Sequence, residues 1–428
     1  MVIENNIDTI LDELVKKGSN ISDLKEFKKE ITAEVKKDQG LADTLASISS
    51  RIKEQTEAFL DQKNKNNTNY ISGISACIYL PDQKNMGEYK IKLIGGNRSR
   101  NCDLKIDENT MFDVASITKL FTLLLLFKLD ELKLINLNTK VSKLNPDFQN
   151  LEDYTLNDLV RLHGVLYTNG NVATAESEQE AYRILHTLYL KDNTREKNTY
   201  NDFGAIVIGD TIAKVLSEKL GREMTFNDIM QDYLIKPLYL ENTMFNPTSQ
   251  NISGNNGMKV HDPKARILGG AVGNAGIFTT SDDLARLARE IYSLRFVNRY
   301  FLNKLGEITF EGSAKGNLGL YLKHPSGYDL SFTPPEYATG SFSHQGWTGA
   351  VATFDPKNYI HSNFLVNAIY EDDNPDLVKN NKPIDFVDAF TEYEANVTRN
   401  VMLMYVAKQY YNRYCKDIEN IYVTEHIR

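Results

Sequence analysis

The sequence predicts a mixed α/β fold of the α+β kind: a mainly antiparallel sheet flanked by helices, an all-helical region inserted within it, and a helical extension in front. Three observations carry this expectation. Apolar residues recur at helical spacing through Phe59; from Tyr70 the period changes to that of strands; and strand-like stretches lie at both ends of a helical middle, so the sheet is completed late in the chain.

The extension, residues 1–68, shows three stripes. Ile7, Ile10, Leu11, Leu14 and Val15 mark one helical face before Gly18; Leu24, Phe27, Ile31 and Val35 mark a second before Gly40; Leu41, Leu45, Ile48, Ile52 and Phe59 mark a third. These stripes must bury against something, either the main domain or a second copy in a homo-oligomer. A polar run, Asp61 to Asn67, reads as a linker to a second unit spanning 69–428. There, Ile71–Leu80 and Tyr89–Ile94 read as strands joined by a polar turn and ended by Gly95-Gly96. The mostly helical stretch 120–264 follows. It includes a helix opened by Tyr200-Asn201-Asp202, with Ile208, Ile212 and Val215 on one face and Gly221 at its end. Thr280 caps another helix, with Asp282 and Asp283 in its first turn. Trp347–Phe354 and Asn363–Tyr370 read as paired strands around Asp355-Pro356-Lys357-Asn358, and a long helix from Phe386 to Ile418 closes the chain.

Composition narrows the function. At 428 residues, with 41% hydrophobic and 25% charged residues, the chain reads as globular with ample core. A formal net charge of −8 argues against general affinity for nucleic acid or anionic membranes, so a small molecule or short peptide is the expected substrate. The apolar run Leu123–Phe127 is too short to span a bilayer, and Met1-Val2-Ile3-Glu4-Asn5-Asn6 lacks the pattern of a secretory signal. Cys77, Cys102 and Cys415 fit neither a disulfide framework nor a zinc motif, so reduced thiols in the cytoplasm are expected. No metal or cofactor is expected. His163 and His261 have no partners at metal-ligand spacing and read as structural.

The chemistry centres on Phe112-Asp113-Val114-Ala115-Ser116-Ile117-Thr118-Lys119 and the apolar run after it. Ser116 and Lys119 share a face only if the segment is helical. At a helix start, free N–H groups and the positive dipole end favour a developing oxyanion. A lysine among leucines loses hydration, which lowers its pKa and lets it activate the hydroxyl. The bland alternative is a capping serine and a snorkelling lysine.

Further motifs extend the pattern: Tyr200-Asn201-Asp202-Phe203-Gly204 downstream, then His344-Gln345-Gly346 leading into Trp347-Thr348-Gly349. Together with Ser116-Ile117-Thr118-Lys119 they resemble, in order, the three motifs of the serine β-lactamase and penicillin-binding-protein superfamily, in particular its class C β-lactamase-like serine hydrolases. Val260-His261-Asp262 and Gly273-Asn274-Ala275-Gly276-Ile277 are similar to one branch of it. The resemblance covers about residues 69 to 410. It implies a five-stranded sheet of the β-lactamase/transpeptidase kind and an acyl-enzyme on Ser116, with Lys119 and Tyr200 sharing protons. It places the oxyanion hole at the N–H groups of Ser116 and Trp347, beside Gly346. His344 stands where many relatives have lysine and is expected to meet Tyr200 or a substrate carboxylate.

Asp202 stands where the family usually has asparagine. An ionised carboxylate accepts hydrogen bonds but cannot donate to a substrate carbonyl, and it would hold Lys119 as an ammonium. The base role then moves toward Tyr200. The expected function is a serine hydrolase acting on an ester, an amide or a small peptide, including D-amino-acid peptides. The alternatives are a penicillin-binding or β-lactamase activity, or a binding protein that kept the pocket.

Overall fold

The computed structural model describes residues 2–37, 40–63, 71–81, 88–99, 102–248, 251–254, 259–307, 316–323, 333–368, 384–415 and 421–427. Most of the expected linker, the turn joining the first two strands, the end of the expected strand at 369–370 and the helix end at 416–418 lie outside them.

Three helices, α1 (Val2–Lys16), α2 (Leu24–Lys36) and α3 (Gly40–Leu60), form the extension. Strands β1 (Gly73–Pro81) and β2 (Glu88–Ser99) open the sheet, and β3 (Phe342–Gln345), β4 (Val351–Asp355) and β5 (Ile360–Val366) complete it late in the chain. Their order is β3-β4-β5-β1-β2, all antiparallel, which is the five-stranded core expected. The sheet reaches eight strands with the short pieces Tyr321–Leu322 and Cys102–Lys105 and with β6 (Ile421–Ile427), which runs parallel to β2.

Alternation along β1 divides the sheet into two faces. Ile74, Ala76, Ile78 and Leu80 point into a core shared with α1–α3 and with the long helix Ile384–Tyr410. Tyr393 of that helix stacks on Phe59 of α3, with ring centroids 4.5 Å apart. Ser75, Cys77 and Tyr79 face the helix Ser281–Tyr292 on the other side: Ser75 Oγ lies 2.8 Å from Ser281 Oγ, and Cys77 and Tyr79 pack on Ala285. Apart from Val15 and Leu24, which are exposed, the stripes of the extension are thus covered within the chain, by the sheet and the long helix. The extension also grips the loop that leads into β3: Asn20 N–H donates to the Pro335 carbonyl (2.8 Å), and Thr339 N–H to that of Lys17 (3.0 Å).

Two boundaries differ from expectation, each for a local reason. Strand β2 continues through Gly95-Gly96 because the glycine there admits β6; a Cβ on Gly95 would sit 2.4 Å from that of Ile427. Strand β4 begins at Val351 because residues 346–350 form a turn closed by Gly346 N–H on the Ala350 carbonyl at 2.7 Å. The long helix widens into a last helical turn at Tyr411–Cys415, and β6, which the sequence reading did not anticipate, follows at Ile421–Ile427. Among the described residues no helix is long and apolar enough to cross a membrane.

Candidate active site

The Leu-rich run forms the helix α4 (Thr118–Glu131), in which every residue from Leu120 to Phe127 is buried. A single tight turn, Ala115–Ile117, leads into it, and Ala115 sits at φ +44°, a region that costs an alanine about 1 kcal/mol. Asp113 braces this turn. Its Oδ1 accepts from Ala115 N–H at 2.8 Å, while its Oδ2 accepts from His261 N–H at 2.7 Å and faces His261 Nδ1 at 2.9 Å. From the sheet, Thr348 Oγ1 donates to the Asp113 carbonyl at 2.7 Å, and Gly346 presses on the Val114 carbonyl so closely that a Cβ would lie 2.4 Å from it. The strained turn is therefore held from two sides, and the partly exposed Ser116 is presented at its apex.

Two motifs far apart in the sequence meet at this hydroxyl. Lys119, fully buried, donates to Ser116 Oγ at 2.9 Å, and the Tyr200 hydroxyl donates to the same oxygen at 3.0 Å. Lys119 Nζ also donates to Asp202 Oδ1 (2.8 Å) and to the Asn274 carbonyl (3.2 Å), and it lies 5.1 Å from the centre of the Tyr200 ring. Its three N–H directions are all engaged, as an ammonium requires. The Asn274 loop is itself pinned to α4 by Thr122 Oγ1 donating to the Gly273 carbonyl (2.8 Å) and by Ile277 N–H donating to Thr118 Oγ1 (3.1 Å).

Asp202 begins the helix α5 (Phe203–Leu220) yet makes no cap with its side chain; Asn201 Oδ1 accepts from Gly204 N–H at 3.0 Å instead. The Asp202 carboxylate turns to two lysines, Lys119 at 2.8 Å and Lys264 Nζ on Oδ2 at 2.8 Å. Burial pulls the Lys119 pKa down, but the Asp202 carboxylate and the Tyr200 oxygen outweigh it and hold the lysine above the ordinary lysine value. Burial likewise pushes Asp202 up, and the two ammonium groups overcome it, leaving the carboxyl far below its usual range. The fall in Lys119 basicity expected from α4 alone is thus reversed by its ionic partner.

His344 is buried at the end of β3, with Nδ1 2.9 Å from the Gln345 carbonyl and Nε2 3.3 Å from that of Leu318. Trp347 is half-buried in the turn that follows Gly346. Gly319, at φ +89°, lies against the Tyr200 ring; a Cβ there would be 2.3 Å from Cε2. Among the described residues no cluster of His, Cys, Asp and Glu is placed to hold a metal. Sequence reasoning did not single out Lys264, Asn274, the Asp113–His261 brace or Gly319. Their traces lay in the stretches at 112–119, 260–262 and 273–277.

A family model described as Beta-lactamase matches residues 58–384. A putative D-alanyl-D-alanine carboxypeptidase of Salmonella agona (strain SL483) is 26% identical over 301 residues, which is 59% of this chain and 68% of that protein. The crystal structure of FmtA from Staphylococcus aureus superposes with a TM-score of 0.57 at 20% identity, covering 81% of this chain and 88% of that one. A class C β-lactamase in complex with cefoxitin superposes with a TM-score of 0.58 at 18% identity, covering 85% and 99%. At these identities the two structures speak for the fold.

Proposed function

The chain belongs to the beta-lactamase family and is a serine hydrolase; on that premise we propose that Ser116 is its nucleophile and carries the acyl group between two half-reactions. One observation supports this above all: the Ser116 hydroxyl lies within hydrogen-bond distance of both the Lys119 amine (2.9 Å) and the Tyr200 phenol (3.0 Å).

In the first half-reaction the Tyr200 phenol, which donates to Ser116 in the resting site, first gives up its proton to solvent; as phenolate beside the Lys119 ammonium it then takes the Ser116 proton while Oγ bonds to the substrate carbonyl carbon. Lys119 stays an ammonium because Asp202, Ser116 and the Asn274 carbonyl take its three N–H groups, so its charge faces the phenolate and the proton is not its own to accept. The carbonyl oxygen becomes an oxyanion, which the N–H groups of Ser116 and Trp347 receive. Collapse breaks the bond to the leaving group, which takes the proton back from Tyr200. Water then attacks the acyl-serine through the same relay, giving the acid and restoring Ser116.

Asp202 favours some substrates over others. Both of its oxygens are held by lysines, and it has no N–H to offer an acylamide carbonyl. We therefore place esters and amides ahead of β-lactams. The D-alanyl-D-alanine carboxypeptidase name of the Salmonella protein supports D-amino-acid esters, amides or short peptides among them. The three free thiols support a cytoplasmic setting, and we take the N-terminal helices to brace the sheet. Turnover of p-nitrophenyl esters, D-alanine amides and nitrocefin by the wild type and Ser116→Ala tests this reading. Esters or D-alanine amides are expected to lead and nitrocefin to trail, with no turnover by the variant. Nitrocefin ahead of the rest would reverse the assignment.

A further inference from the structure

A carboxylate placed 2.8 Å from Lys119, the lysine that donates to the serine, has an electrostatic cost for catalysis. Its negative charge cancels the ammonium that a phenolate or oxyanion would draw upon. Here the cancellation is undone by a second lysine. Lys264, from the short helix Pro263–Ile267, reaches the other oxygen of Asp202 at 2.8 Å, with its side chain 25% exposed. Asp262, which caps that helix through Ala265 N–H at 2.7 Å, stands 4.0 Å from Lys264. Burial, with Asp202 close by, pushes the Asp262 carboxyl above its ordinary value, so it is a weak competitor for the lysine.

The diversion of Asp202 from its local role points the same way. An aspartate at a helix start normally accepts from the first-turn N–H groups and so stabilises the helix. This one forgoes the cap, which falls to Asn201, and keeps both oxygens on lysines. The groups facing this cluster are Lys119 from α4, Lys264 and Asp262 from the short helix and its cap, and Tyr200. Beyond Tyr200 lie Tyr321 and, across Gly319, His344.

We infer that Lys264 is a positioning residue for the catalytic centre: from Asp202 Oδ2 it restores the positive charge that Asp202 removes from Lys119, and so keeps the Ser116–Tyr200 relay active near neutral pH. The inference rests on Ser116 being the nucleophile.

The test is the rate of covalent labelling of Ser116 by a fluorophosphonate from pH 5 to pH 9. It compares the wild type with Lys264→Met, Lys264→Gln, Lys264→Arg and the double variant Asp202→Asn/Lys264→Met, each checked for folding by its thermal melt. Removing the Lys264 charge should move the acid limb of the rate profile up by about one pH unit and slow labelling at neutral pH about tenfold. Lys264→Arg should keep the wild-type limb. The double variant should recover it, since both charges leave together. A limb that stays in place in both neutral variants, with the rate falling equally at every pH, would reduce Lys264 to a packing role and overturn the inference. So would a double variant no better than Lys264→Met alone. If the wild type itself takes no label at Ser116, the catalytic reading fails first, and this one with it.

Discussion

Replacing Gly319 by alanine should separate catalysis from stability. A methyl group at this position would lie 2.3 Å from Tyr200 Cε2 and 2.5 Å from Cδ2, whereas carbons in contact rest at about 3.5 Å or more. The Tyr200 ring must therefore retreat by about 1 Å. Its hydroxyl, now 3.0 Å from Ser116 Oγ, would move to roughly 4 Å, beyond hydrogen-bond reach. Misplacing a proton-transfer group by that much costs about 10²- to 10³-fold in rate. The backbone adds strain, since φ at Gly319 is +89° and an alanine in the left-handed region loses about 1–2 kcal/mol. Gly221 supplies the matched control. It sits at φ +63° with nothing within 4 Å of a built Cβ, so Gly221→Ala carries strain of the same kind without touching the site. The assay is kcat/KM on a p-nitrophenyl ester together with urea unfolding of both variants. Both variants should lose stability, Gly319→Ala the more because its methyl also displaces the Tyr200 ring, with the loss of rate confined to Gly319→Ala. A Gly319→Ala enzyme within threefold of Gly221→Ala would refute the reasoning.

Two further outcomes follow from buried groups away from the proton relay. Asp113→Ala leaves Ala115 N–H and His261 N–H without their acceptor, so urea unfolding should show a loss of about 3–4 kcal/mol and Ser116 labelling should fall with it; unchanged labelling would show that the turn needs no brace. Glu394 is buried; burial first, then the nearby Glu336, raises its pKa from 4.5 to about 8. Between those values the folded state holds a proton that the unfolded state has released, so stability should decline as pH rises from about 4.5 to 8, by at most about 5 kcal/mol. Glu394→Gln should flatten that slope in unfolding curves taken at pH 5 and pH 8, and an unchanged slope would assign it to other groups.

Much of this molecule was legible because its signals are local. The stripe Ile7–Leu14, the run Leu120–Phe127 and the Thr280 cap each declare a helix within one or two turns, and all are helical. Ser116, Lys119 and Tyr200 were legible for a different reason: the resemblance ties their order along the chain to one constellation, and the fold brings them together. What escaped were contacts between distant loops. Lys264 reads as one more surface lysine until the fold sets it on Asp202, and Gly319 as one more loop glycine until the Tyr200 ring lies against it. Strand β6 escaped because its outward positions, such as Tyr422 and His426, are exposed, leaving little apolar signal to show that Ile421 and Ile427 cover a sheet. The N-terminal stripes announced burial but not their partner, which the chain supplies some 330 residues later in the long helix Ile384–Tyr410.

The most direct measurement is an acid quench during turnover of a p-nitrophenyl ester, followed by mass mapping of the peptides. The account predicts one acyl group on the peptide that contains Ser116 and none in Ser116→Ala, which should also fail to turn over. An acyl group on another residue, or undiminished turnover by Ser116→Ala, would contradict it.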